Sequence, residues 1–261
     1  MKKLILLIFI AVLLVSCASK KPEAKPPKVV KKIVQEPLPA WVYQIPAGRD
    51  CVIGIASRTI YEDQMKDAAK QMATIVHSRN KASYTIEKAA STDKENYLQG
   101  GSAEFKLNVS SSPEETQRIY ENLQLLDEAF YYEFYLALFA ENGDSLSSLC
   151  TTKFIANFPD WYENDGLKVD ENGIRCYASE SSSNLISAWQ RATEEARFEL
   201  AKYLEKNVQS QLLSKDENIT KKIAIETRLK LEEMQVTRSY VTSELKDNLR
   251  SYKVYLEMIL R

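Results

Sequence analysis

One spacing constrains this chain more than any other feature: its body reads twice. The segment LPAWV beginning at Leu38 returns as FPDWY beginning at Phe158, so Trp161 lies 120 positions after Trp41. The same offset recurs at the far end, where Tyr132, Tyr135 and Leu136 of YEFYLALF meet Tyr252, Tyr255 and Leu256 of YKVYLEMI. Between these markers the register slips by two, aligning Ser57 of IGIAS with Ser179 of RCYAS and Gly54 with Cys176. Equal offsets at both ends of a unit predict tandem duplication, with domains at 38–150 and 151–261.

Each unit has the same outline. A Pro-x-Trp lead-in precedes a short apolar strand, Cys51–Ser57 or Ile174–Ser179. A helix follows, with Met65, Ala68, Ala69, Met72 and Val76 at helical spacing in the first unit, and Leu185, Ala188, Ala192, Ala196, Leu200 and Tyr203 in the second. Alanine along the stripe lets such a helix lie close to a sheet. Polar stretches at about 88–118 and 214–233 come next, the second read as helical, and each unit closes on a hairpin. Its turns are expected near Asp127-Glu128 and Asp247-Asn248. In the last strand Tyr252, Val254, Leu256, Met258 and Leu260 alternate with Lys253, Tyr255 and Glu257, the pattern of a half-buried antiparallel strand. The expected fold class is therefore α+β: two β-α-β-β units, each a helix on a small antiparallel sheet.

Ahead of the body, Met1, Lys2 and Lys3 lead into twelve apolar residues, Leu4–Val15, then Ser16 and Cys17. That run is short of the roughly 20 residues a spanning helix needs and has the make-up of a secretory signal. Leu14-Val15-Ser16-Cys17 resembles the lipobox of bacterial lipoproteins. The resemblance implies cleavage of a signal peptide, residues 1–16, and Cys17 as the first mature residue, carrying palmitate-type acyl chains. Each buried methylene is worth about 0.8 kcal/mol, so two or more chains hold firmly where one binds reversibly. Ala18 after the cysteine favours, by that family's sorting rule, the outer membrane of a bacterial cell envelope. Residues 17–37 then form a tether, rich in Lys and Pro and too poor in large apolar side chains to fold. Six lysines against Glu23 and Glu36 leave the tether at +4, and removing this and Lys2/Lys3 from the whole-chain −1 leaves −7 for the body. A basic tether below an acidic body suits an anionic membrane surface and argues against nucleic acid.

The lipobox, the Pro-x-Trp lead-in, the strand ending Gly54-Ile55-Ala56-Ser57, the Ala-rich helix and the closing Tyr-x-x-Tyr-Leu strand together resemble the LPP20-type bacterial lipoproteins. The domain is also similar to the N-terminal part of the flagellar assembly protein T. These resemblances imply a dodecin-like β-α-β-β fold and an envelope location, with no defined chemistry. Cys176 in place of Gly54 departs from the pattern in the second unit.

No catalytic constellation is legible. His77 is the sole histidine and is read as a residue on the helix flank, since no partner for acid–base work is identifiable. Phosphate loops, dinucleotide fingerprints and His-Glu-x-x-His are missing from the sequence, and so is any Cys-x-x-Cys. Neither a metal site nor a cofactor is expected. The pairs Asp127-Glu128, Glu194-Glu195 and Glu232-Glu233 read as turns and solvated helix faces. Beyond Cys17, Cys150 and Cys176 either staple the second lead-in as a disulfide or remain, with Cys51, buried thiols. Trp41 and Trp161 are expected as lids on each unit's core, the alternative being ligand-stacking platforms. The reading favours a non-enzymatic, membrane-anchored envelope lipoprotein that presents two similar domains to a protein partner or to further copies, with the flagellum or cell wall as possible surroundings. The alternative is a periplasmic small-ligand-binding lipoprotein, although a small-molecule ligand is the less expected partner.

Overall fold

The computed structural model describes residues 37–46, 50–81, 83–88, 105–110, 112–141, 158–171, 173–213, 227–230 and 234–260, with the backbone alone for 83–88, 105–110, 205–213 and 227–230. The signal, the tether, Cys150 and Glu232-Glu233 lie outside them. The first half contains a single helical turn α1 (Ala40–Tyr43), β1 (Cys51–Ser57), α2 (Glu62–Asn80), β2 (Ser83–Lys88), β3 (Phe105–Ser110), α3 (Pro113–Asn122), β4 (Leu123–Tyr131) and β5 (Phe134–Glu141). The second contains β6 (Gly166–Asp170), β7 (Gly173–Ser182), α4 (Leu185–Leu213), β8 (Thr227–Lys230), β9 (Met234–Lys246) and β10 (Leu249–Leu260).

The architecture is α+β with small antiparallel sheets. The first sheet runs β1-β5-β4 and the second β6-β7-β10-β9, so in both the outgoing strand of the hairpin lies between its partner and the strand that leads into the helix. A third sheet, β3-β2-β8, joins the halves, with Ser83 opposite Lys230. Residues 227–230 are thus extended and not helical as expected. The expected polar stretch at 88–118 holds β3 and α3. Ser112 caps α3, its hydroxyl accepting the Glu115 amide at 3.0 Å, and Pro113 fills the first helical position. Asn184 caps α4 in the same manner, its Oδ1 accepting from the amides of Ile186 and Ser187.

The second hairpin turns at Asp247-Asn248, both with positive φ, as a type I′ turn requires. The first does not turn where expected. Asp127 and Glu128 lie within β4 beside a bulge, and the chain reverses at Tyr132-Glu133, with Tyr132 at φ 52°. Ring contacts hold that unusual conformation: Tyr131 lies 4.6 Å from Tyr132, and the Arg250 guanidinium stacks 3.5 Å from the Tyr132 centroid.

α2 packs on the face of the first sheet that carries Val52, Ala56, Tyr135, Ala137 and Phe139, with Ile119 of α3 filling its flank. The approach is close because Gly54 has no side chain: a Cβ there would fall 2.1 Å from the Ala69 carbonyl oxygen. The opposite face, with Ile53, Leu136 and Leu138, belongs to one continuous core with Cys176, Ala178, Val254, Leu256 and the Ala188–Ala192–Ala196 stripe of α4. The two halves therefore share a core.

The sequence match and the sheets differ in phase. Tyr135 faces α2, whereas Tyr255 lies on the side of its strand opposite Val254 and Leu256, away from α4. Pairing sets Gly54 opposite Ala137 and Cys176 opposite Met258. Gly54 and Cys176 thus share the helix-facing side, while the strands that answer them stand 121 positions apart instead of 120. A shift of one residue turns every side chain to the other face.

Candidate functional site

The densest chemistry lies where α2 ends. Asp50 immediately precedes β1, and the pairing of Cys51 with Ala140 brings it beside Glu141 at the end of β5. α2 returns across the sheet and places His77 in its last turn against the same carboxylate, Nε2 standing 3.2 Å from Glu141 Oε2. Lys81, one residue past the helix, donates to Glu141 Oε2 at 2.6 Å and pairs with Asp50 Oδ2 at 3.1 Å. Arg118 of α3 donates to Glu141 Oε1 at 2.8 Å and is itself fixed by Glu115 at 2.6 Å. The His77 and Glu141 side chains are only 4% and 7% exposed, in contrast to Asp50 at 58%.

Burial sets the electrostatics of this cluster. It pushes the His77 imidazole below its ordinary value, and the neighbouring Lys81 charge adds to the shift, so His77 is neutral at pH 7. Burial by itself would raise the Glu141 carboxyl, but the hydrogen bonds from Lys81 and His77 outweigh it and hold the group down to about 2. Burial would also lower the Lys81 ammonium, which Glu141 and Asp50 nevertheless hold above its usual range. The donor atoms of Asp50, His77 and Glu141 lie within 4.8 Å of one another, a spacing compatible with one metal ion. The sequence reads His77 as a helix-flank residue, because its partners are not legible: Asp50, Lys81, Arg118 and Glu141 come from four places in the chain. The nearest signal was that Asp50 and Glu141 bracket the two strands that close the sheet.

A second polar locus lies on the face of the second sheet away from α4. There a groove of about 310 Å³ is lined by Gln44, Arg175, Gln235, Arg238 and Glu257 among others. Glu257 is buried and accepts from Tyr177 Oη at 3.0 Å and Thr237 Oγ1 at 2.6 Å, with Arg238 Nε 3.6 Å away. The same face carries an aromatic cluster: Phe158 and Tyr162 each lie 4.9 Å from Tyr255, and Trp161 stacks on Tyr177 at 6.3 Å.

The two tryptophans of the Pro-x-Trp lead-ins differ in setting. Trp41 is buried in the shared core and donates Nε1 to Asp127 Oδ2 at 2.8 Å, whereas Trp161 is half-buried on the aromatic face. Glu194 is tied to Arg79 and Arg197, and Glu128 accepts from Tyr135 Oη at 2.5 Å. Cys176 is a buried free thiol, and burial with the nearby Glu199 and Glu195 pushes it up to about 12. Among the described residues no helix is long and apolar enough to cross a membrane. Compared with known proteins, the chain matches no family model, no curated protein and no solved structure.

Proposed function

We propose that this chain is a lipid-anchored, non-catalytic protein of the bacterial cell envelope, of the LPP20-like kind, whose folded body binds a protein partner. The anchor rests on Leu14-Val15-Ser16-Cys17 and the Lys/Pro tether behind it. The interaction role is carried by one structural observation. Of the nine large apolar side chains exposed among the described residues, Ile60, Tyr61, Phe130, Leu245 and Leu249 gather at one end of the two sheets. Tyr252 Oη donates to Glu133 Oε1 at 2.5 Å and joins the hairpin ends there, while Arg58 N donates to the Glu133 carbonyl and its guanidinium lies over Phe130. Exposed apolar side chains concentrated in this way mark interaction surfaces. The rim is mixed in sign, with Arg58 and Lys246 among Glu62, Asp63, Glu244 and Asp247, which suits a protein better than an anionic bilayer. A non-catalytic reading agrees with the His77 cluster, whose carboxylates are already paired with cations.

The anchor is tested by metabolic labelling with a palmitate analogue: the parent chain takes up label, and Cys17→Ala does not. Equal labelling of both removes the lipoprotein assignment. A second reading, binding of a small polar molecule, is favoured by the groove of Gln44, Arg175, Gln235, Arg238 and Glu257, whose arginines are already paired with Asp170 and Glu257.

A further inference from the structure

We propose that Asp50, His77 and Glu141 form a site for a divalent first-row metal ion such as Zn²⁺, and that Lys81 is an internal cation that closes the site when no metal is bound. The residue before β1, the last turn of α2 and the last residue of β5 deliver the donors to one point, and their ligand atoms lie within 4.8 Å of one another. His77 Nε2 and Glu141 Oε2, 3.2 Å apart, already have about the separation of two ligands on one tetrahedral ion with bonds of 2.0–2.2 Å. Asp50 completes the set from an exposed position, where a change of rotamer brings its carboxylate inward without disturbing the core.

The surroundings have the form of a second shell. Arg118 holds Glu141 Oε1 and is fixed in turn by Glu115, which leaves Oε2 as the oxygen turned toward His77 and Lys81. Such outer partners orient ligating carboxylates. The Lys81 ammonium stands at 2.6 Å and 3.1 Å from the two carboxylates, where a positive charge is needed between them. It sits on a flexible stem past the end of α2 and is one-third exposed, so it can swing into solvent. A divalent ion bound by a neutral imidazole and two carboxylates is charge-balanced, and Lys81 is then free to leave. The imidazole selects borderline ions, since Mg²⁺ and Ca²⁺ are held through oxygen. Three protein ligands leave a coordination position for water.

The sole histidine of the chain makes the test direct. The full chain, purified in detergent without an affinity tag, is titrated with Co²⁺ while the carbon-bound protons of its single imidazole are followed by NMR. The expected result is that these lines shift or broaden at one equivalent and recover when Zn²⁺ displaces Co²⁺. Asp50→Asn, an exposed substitution that leaves the core untouched, weakens binding. Arg118→Leu weakens it by about tenfold, as loss of a second-shell partner does. Lys81→Met tightens it by up to roughly tenfold, because an ion pair of this exposure competes by no more than that. Sharp imidazole lines in the presence of bound Co²⁺ place the ion elsewhere and overturn the proposal. An unchanged affinity in Lys81→Met overturns the part assigned to Lys81.

Discussion

At residue scale, Gly54 and Cys176 show what the strand–helix approach demands. A Cβ at Gly54 would lie 2.1 Å from a backbone oxygen of α2 and 3.1 Å from the Phe139 ring, and a backbone oxygen cannot step aside as a side-chain tip can. Gly54→Ala is expected to cost about 3 kcal/mol in chemical denaturation, at the upper end for overpacking; a parent-like midpoint would show that α2 can lift away from β1. Cys176 occupies the corresponding helix-facing side and tests the electrostatics of the shared core. An acid whose folded pKa stands above its unfolded value stabilises the fold fully below the unfolded value, here near 9, and loses that contribution as pH climbs toward about 12. The expected loss is about 1.4 kcal/mol per unit over that window. It appears as a slope of stability against pH that Cys176→Ala removes, and the native thiol resists alkylation at pH 8. Identical slopes in parent and variant would assign the alkaline loss to other groups. Residue letters were a poor guide to facing: Tyr135 and Tyr255 match in sequence, yet only Tyr135 lies under a helix. Periodicity identifies which residues alternate, not which of two buried faces each meets when both sides of a strand are covered.

At the scale of elements, β1, β7, α2 and the last hairpin were legible because each has a strong local pattern. α3 was legible too, in Ser112-Pro113-Glu114-Glu115, a capping sequence with proline at the first helical position. The polar stretch around it masks that signal. The Tyr132-Glu133 turn is not legible, since neither residue favours positive φ and the conformation depends, beyond the neighbouring Tyr131, on Tyr252 and Arg250, which are distant in sequence. The joint between α2 and α4 was likewise hidden. Arg197, fully buried in the alanine stripe of α4, donates to Asn80 Oδ1 at 2.6 and 3.1 Å, to the Val76 carbonyl at 3.2 Å and to Glu194 at 2.8 Å. It thereby reaches a carbonyl near the end of α2 and ties the two helices. Arg197→Ala is expected to destabilise by about 3–5 kcal/mol, as loss of one member of a buried charged network does. Arg197→Met, which keeps volume without charge, should cost less. The double variant with Asn80→Leu should cost less than the sum of the single changes, because neither polar group is then left without the other. Strict additivity in a denaturation cycle would show that the two side chains do not act together.

At the scale of the whole molecule, the halves on either side of residue 150 are joined by one core and by the β2–β8 pairing. Repetition exposes similar units but says nothing of how their apolar faces are covered. The end that gathers Ile60, Phe130 and Leu249 is not legible either, because these residues lie far apart in the chain and are brought to one end only by strand register. If this end binds a protein, its apolar side chains contribute to association and little to folding. Ile60, 89% exposed, and Leu249, 75% exposed, have almost no burial to lose. Ile60→Ser combined with Leu249→Ser should therefore leave stability within about 0.5 kcal/mol of the parent. The same pair should abolish cross-links formed in intact cells by a photo-reactive residue at position 130, while a probe at Val169, on the opposite end of the second sheet, stays silent. Cross-links to a different polypeptide identify a heterologous partner, and links to the chain itself identify self-association. Equal cross-linking from both ends, or a probe at 130 that captures nothing in cells where the chain is abundant, would remove this end as the interaction surface.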